Sequence, residues 1–135
     1  MEAADRASQE DSMKHVLLIY ETAENFRSRR HPETDPYSAA WRAYYKAVVA
    51  AGIYGGGAPL KDEATATVVR LENGKRHVQD GPFAEAKEQL GGFMILDVPS
   101  LDEALQWAAR CPAAATGSVQ VRPMDVESHD HIVGP

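Results

Sequence analysis

Three features of the chain predict an α+β fold: two short, nearly continuous apolar runs, KHVLLIY and FMILDV; a helix-period segment after each; and a hairpin signal, Asn73-Gly74, between the two halves. In order these read β, α, β-hairpin, short helix, β, α, β. That order reduces to βαββαβ with an inserted hairpin and short helix, the ferredoxin-like pattern. The chain has 135 residues, enough for one such domain to bury roughly two thirds of the surface its unfolded form exposes.

Each element has its own signal. Residues 1–12, MEAADRASQEDS, are polar and acidic without the apolar core of a signal peptide, so they predict a disordered extension ahead of a domain at 13–125. Residues 14–20 form a β-rich apolar run that predicts a central strand buried on both faces. After a polar loop, Asp35 and Pro36 supply an N-cap and a first-turn proline, and Tyr37, Trp41, Tyr44, Tyr45 and Val48 recur at helical spacing until Gly52. YGGGAPL reads as a loop, because a proline and strand-like residues follow it instead of the helix a phosphate cradle needs. ATATVVRLE and KRHVQ should pair across a type I′ turn at Asn73-Gly74. DGPF then turns the chain, AEAKEQL is a helix of one or two turns, and Gly91-Gly92 break it. Residues 93–98 predict a second strand buried on both faces, and Ser100 with Glu103 forms a capping box opening a second main helix that ends near Arg110 and Pro112. Val119 and Val121 alternate in a last strand, and residues 126–135 predict a flexible tail.

Bulk properties exclude several functions. A net charge of −6, with no Lys/Arg cluster interleaved with aromatics, argues against nucleic acid. No apolar run approaches the ~20 residues of a membrane span. One cysteine, Cys111, rules out an intramolecular disulfide and fits a cytoplasmic location. Two helices cover only one face of the sheet, so the apolar groups on its other face predict a homodimer.

DGPFAEAKEQLGGFMILDVPSLDEALQWAARCP followed by GSVQVRP, with HVLLIY and ATATVVR upstream, resembles the DGPF branch of the YCII-related proteins across residues 13–124. The resemblance implies a dimeric α/β-barrel with ferredoxin-like subunits. It brings no established reaction, and for some members it implies association with an extracytoplasmic-function sigma factor. The broader YCII-related proteins are suggested to be enzymes with a His and an Asp at the pocket. Where that His would lie this chain has DPYSAAWRAYY, and where the Asp would fall it has Cys111; His31 and Asp35 do not match in spacing.

The candidate chemistry centres on DGPFAEAKE. Asp80, Glu85 and Glu88 would form an acidic cluster in which Asp80 or Glu85 serves as acid or base, with Lys87 and Tyr44 as orienting groups. The competing reading makes the stretch a structural turn, with Asp80 capping backbone amides and the two glutamates favouring a helix start. Trp41, Tyr44, Phe83, Glu88 and Phe93 are the pocket candidates, although aromatics at helical spacing are also ordinary core. Cys111 lies at a helix end that disfavours a thiolate, and HDH at 129–131 reads as a solvated tail. No metal site and no cofactor fingerprint is predicted. The expectation is a small dimeric protein, either a cofactor-free enzyme or a small-molecule binder; the alternative is a regulatory module that associates with a sigma factor.

Overall fold

The structure, a computed structural model, describes residues 13–81 and 87–125. The expected N-terminal extension at 1–12, the tail at 126–135, and the candidates Phe83 and Glu85 lie outside the described residues. Strand β1 (Lys14–Glu21) is followed by a short helix α1 (Ala23–Arg27), a 3₁₀ turn at Ser28–Arg30, and the long helix α2 (Pro36–Ala50). The polar stretch read as a loop is therefore partly helical, because Thr22 and Asn25 form a reciprocal capping box. Asp35 caps α2 as expected, its carboxylate accepting from the Ser38 amide at 3.0 Å, and Gly52 leaves the helix with φ +75°.

The glycine run is a strand, β2 (Tyr54–Pro59), and not a loop. It pairs with β5 (Gln89–Asp97), placing Gly57 opposite Met94 and Ala58 opposite Phe93. Side chains would prevent this approach: a Cβ on Gly57, at φ +156°, would lie 2.4 Å from the Phe93 carbonyl oxygen. The proline is tolerated because β2 is an edge strand.

Between β2 and β5, β3 (Thr67–Glu72) and β4 (Lys75–Asp80) form a separate two-stranded hairpin whose turn residues Asn73 and Gly74 both have positive φ, as a type I′ turn requires.

Strand β5 begins four residues earlier than expected, so Gly91-Gly92 lie inside it. Ile19 pairs with Gly92 and Tyr20 with Leu90, which leaves Gly91 as the extra residue of a bulge. The expected short helix is corrected accordingly: Lys87 and Glu88 form a bend and Gln89 and Leu90 join the ladder, while 84–86 lie outside the described residues. Pairing of Gln89 and Leu90 with Glu21 and Tyr20 outweighs their local helix preference.

Helix α3 (Leu101–Arg110), a one-turn helix α4 (Ala113–Thr116) and β6 (Ser118–Pro123) complete the domain. Ser100 caps α3 by accepting from the Glu103 amide.

The main sheet has the order β2-β5-β1-β6, with every neighbour antiparallel. This is a ferredoxin-like α+β fold in which the glycine strand is the second core strand and the hairpin is wholly an insertion. Burial along β1 alternates strictly: His15, Leu17, Ile19 and Glu21 are buried, whereas Val16, Leu18 and Tyr20 are half-buried. The expectation that both faces of β1 and β5 are fully buried is thus met on one face only within this chain, because the helices form a single layer. The core lies under that layer, built from Leu17, Val48, Leu96, Val98 and Ala104. Among the described residues no helix is long and apolar enough to cross a membrane.

Candidate functional site

A cavity of about 500 Å³ opens between α2 and the β2–β5 side of the sheet. Its position follows from the sequence of α2. Tyr37, Trp41 and Tyr45 are four residues apart and share a stripe that faces the cavity, while Tyr44 and Val48 turn into the core. Opposite them, Ile19 and Met94 supply apolar floor, and Gly57 and Gly92 keep the space open. Tyr54 meets Tyr45 edge-on, with ring centroids 5.1 Å apart at 79°, and both rings remain partly exposed at the mouth.

The inner end of the cavity is polar. Glu21, the last residue of β1, is only 3% exposed because it continues the buried alternation of Leu17 and Ile19. Its Oε1 accepts from Arg29 Nη2 at 2.8 Å and its Oε2 accepts from the Tyr37 hydroxyl. Arg29 also donates to the Gly91 carbonyl at 3.0 Å and to the Leu60 carbonyl. One guanidinium therefore ties together the end of β1, the bulge of β5 and the segment after β2. The bulge has a clear purpose here: a Cβ on Gly91 would fall 2.0 Å from Glu21 Oε1. Burial, and then the bond to Glu21, push the Tyr37 phenol well above its ordinary pKa of 10.0, so it keeps its proton and acts as a fixed donor.

Of the residues singled out from sequence, Trp41 lines this cavity, and Phe93 borders it from β5 while standing opposite Leu18, in phase with the other face of the sheet. Tyr44 does not: its ring packs edge-on to Trp41 at 5.7 Å and its hydroxyl donates to the Trp107 carbonyl at 2.8 Å. Asp80 is the exposed last residue of β4, accepting from Thr67 Oγ1 at 3.0 Å, and the following Gly81 amide donates to the Ala66 carbonyl at 2.7 Å. Glu88 is half-buried and accepts from Ser118 Oγ, and Lys87 is exposed in the bend. None of Asp80, Lys87 and Glu88 lines the cavity.

The residues that do form its polar part, Glu21, Arg29, Tyr37 and Arg42, were not singled out from sequence. Two signals point to them: an acid in phase with the buried face of the first strand, and a tyrosine one turn before Trp41.

The remaining titratable candidates lie elsewhere. Burial pushes the Cys111 thiol up to about 11, leaving it unreactive at neutral pH. His15 is wholly buried, and neither ring nitrogen has a hydrogen-bond partner among the described residues.

The YCII-related domain family matches residues 13–126, which takes in every strand and helix described above. The chain belongs to the YCII-related family. A similar protein is an uncharacterized one from Rhizobium meliloti (strain 1021), 46% identical over 89 residues that make up 64% of this chain and 68% of that protein. In this YCII-related domain, no group of three or more His, Cys, Asp and Glu side chains among the described residues is arranged to hold a metal ion.

Proposed function

We propose that this YCII-related protein binds a small molecule with an apolar, aromatic body in the cavity between α2 and the sheet. The observation that carries this reading is a buried carboxylate fixed by an arginine and a tyrosine at the end of an aromatic-walled cavity. The volume falls in the range of roughly 300–1,000 Å³ usual for ligand sites, and the lining, mostly apolar with a few convergent polar groups, has the usual chemistry of one. An ion pair with one buried member, such as Glu21 held by the half-buried Arg29, adds little to stability over an apolar pair of similar shape. Its place beside an open cavity is better accounted for by recognition. Three of the five N–H donors of Arg29 are used by Glu21, Gly91 and Leu60. If a cofactor-free reaction takes place in this protein, the polar groups positioned to orient a substrate at the cavity are Glu21 and Tyr37. The exposed, Thr67-bonded setting of Asp80 favours a structural role for that acid.

The same reading includes a homodimer. Val16, Leu18, Tyr20 and Ile95 stand half-buried on the sheet face opposite the cavity, so a second copy covering that face leaves the cavity accessible from the helix side. Sedimentation equilibrium at micromolar concentration should give twice the chain mass, and a monomer would remove this part of the proposal. A second reading, a regulatory module that docks on a sigma factor, draws on the hairpin, where Val69, Leu71 and Val78 are 56%, 73% and 54% exposed.

A screen of small aromatic fragments by amide NMR shifts tests the main reading. Saturable perturbations should concentrate at Ile19, Trp41, Gly91, Gly92 and Met94. Hits confined to the β3–β4 hairpin, or no hits at all, would overturn it.

A further inference from the structure

The charges around the cavity narrow the ligand class. Three lining residues carry charge, namely Glu21, Arg29 and Arg42, so two guanidiniums stand against one carboxylate. They are not equivalent. Arg29 is held against Glu21 at 2.8 Å, and that pair is neutral as a unit. Arg42 is on the next residue of α2 after Trp41, is exposed, and is tethered by Nη1 to the Pro32 carbonyl at 2.7 Å. Pro32 lines the cavity as well. Arg42 forms no ion pair among the described residues. The result is a cationic head fixed beside an aromatic wall, with donors left over and no counter-charge.

Resting on the small-molecule reading above, we infer that the ligand is an aromatic monocarboxylate, its body against Trp41, Tyr45 and Met94 and its carboxylate on Arg42 at the rim. The inner end disfavours the opposite orientation, because a carboxylate placed there would meet Glu21, whose oxygens already accept from Arg29 and Tyr37. A cationic ligand is disfavoured at both ends: Glu21 is already neutralised, and Arg42 repels it at the mouth. Arginine suits the task because its planar fork matches a carboxylate in two parallel hydrogen bonds. The rim is solvated, so the charge contribution is modest and weakens with salt.

Three probes of one shape separate the contributions: 2-naphthoate, 2-naphthalenemethanol and 2-naphthylmethylammonium, titrated calorimetrically into the full chain and into Arg42→Gln protein. The expected order in the native protein is naphthoate tightest and the ammonium weakest. Arg42→Gln should weaken naphthoate roughly three- to tenfold, as for a partly exposed charge-assisted pair, and leave the alcohol within about twofold. Added salt should weaken naphthoate and not the alcohol. If the alcohol binds at the cavity and naphthoate shows no advantage, or Arg42→Gln leaves naphthoate unchanged, the carboxylate inference is overturned and the small-molecule reading stands. If none of the three binds, both are overturned.

Discussion

Of the acids that end strands in this protein, Glu21 and Asp80 have opposite fates. Glu21 closes β1 in a sheet backed by helices, is 3% exposed, and is held by Arg29 and Tyr37. Asp80 closes β4 in a hairpin every residue of whose second strand is exposed, and accepts one bond from Thr67. The difference lies in the second layer. Where α2 covers the sheet, water is displaced, a charge must find partners, and a cavity with fixed polarity results. Where no helix among the described residues covers the hairpin, a carboxylate is solvated and its interactions are screened. A strand-terminal acid is thus a site candidate only when its strand face is buried.

The contrast breaks most readily in the core. Leu96→Ala, at a wholly buried position on β5, should lower the free energy of unfolding in urea by about 2–5 kcal/mol. Leu71→Ala, at 73% exposed on the hairpin, should change it by less than about 0.5 kcal/mol. Equal losses would mean that the hairpin is part of the folded core.

Next come the partners of the two acids. Arg29→Met leaves the Glu21 carboxylate buried with only Tyr37, and should cost up to about 3 kcal/mol, with most of it recovered on adding Glu21→Leu. Thr67→Val, which removes the partner of Asp80, should cost about 0.5–1 kcal/mol at most. If Arg29→Met unfolds no more readily than Thr67→Val, the buried pair does not distinguish the two regions.

A smaller effect separates the buried face by pH. Burial lowers the folded pKa of His15 below its ordinary 6.5. Below that pH the unfolded chain binds the proton more readily, so the contribution of a neutral His15 is full above about pH 6.5 and is lost as pH falls from there to the folded pKa. His15→Leu should match or exceed the native stability at pH 7, since it removes two unpartnered ring nitrogens. Its advantage should widen toward about pH 5.

The smallest effect is on reactivity. Cys111 is 2% exposed with its thiol pushed up to about 11, and a disulfide reagent at neutral pH should label it only as fast as the protein unfolds.

The fold was legible in the sequence wherever side chains state the environment. Val16 to Tyr20, Phe93 to Val98, the Asp35-Pro36 cap and the Asn73-Gly74 turn each marked its element. The second core strand was not, because YGGGAP carries no alternation. Its pairing depends on the absence of side chains next to Phe93 and Met94, a requirement imposed by the neighbouring strand. Likewise Gly91-Gly92 reads locally as a break, whereas in the sheet it lies at a bulge where a Cβ on Gly91 would collide with the Glu21 carboxylate. The site was half legible: Trp41 and Phe93 were named, whereas Glu21 and Arg29 become partners only when β1 and the turn at Ser28–Arg30 fold back on one another. Asp80 drew attention through a turn motif that is conspicuous in sequence, and its own side chain is exposed in the structure.

The central claim is that the ligand-binding chemistry lies on the helix-covered side of the sheet and not at the hairpin end. Calorimetric titration of the neutral probe 2-naphthalenemethanol into native, Trp41→Leu and Asp80→Asn proteins tests it most directly. The expected result is binding within about twofold of native for Asp80→Asn, with a loss of roughly tenfold for Trp41→Leu, the scale of one lost aromatic contact. Retained binding in Trp41→Leu with binding abolished in Asp80→Asn would contradict the account.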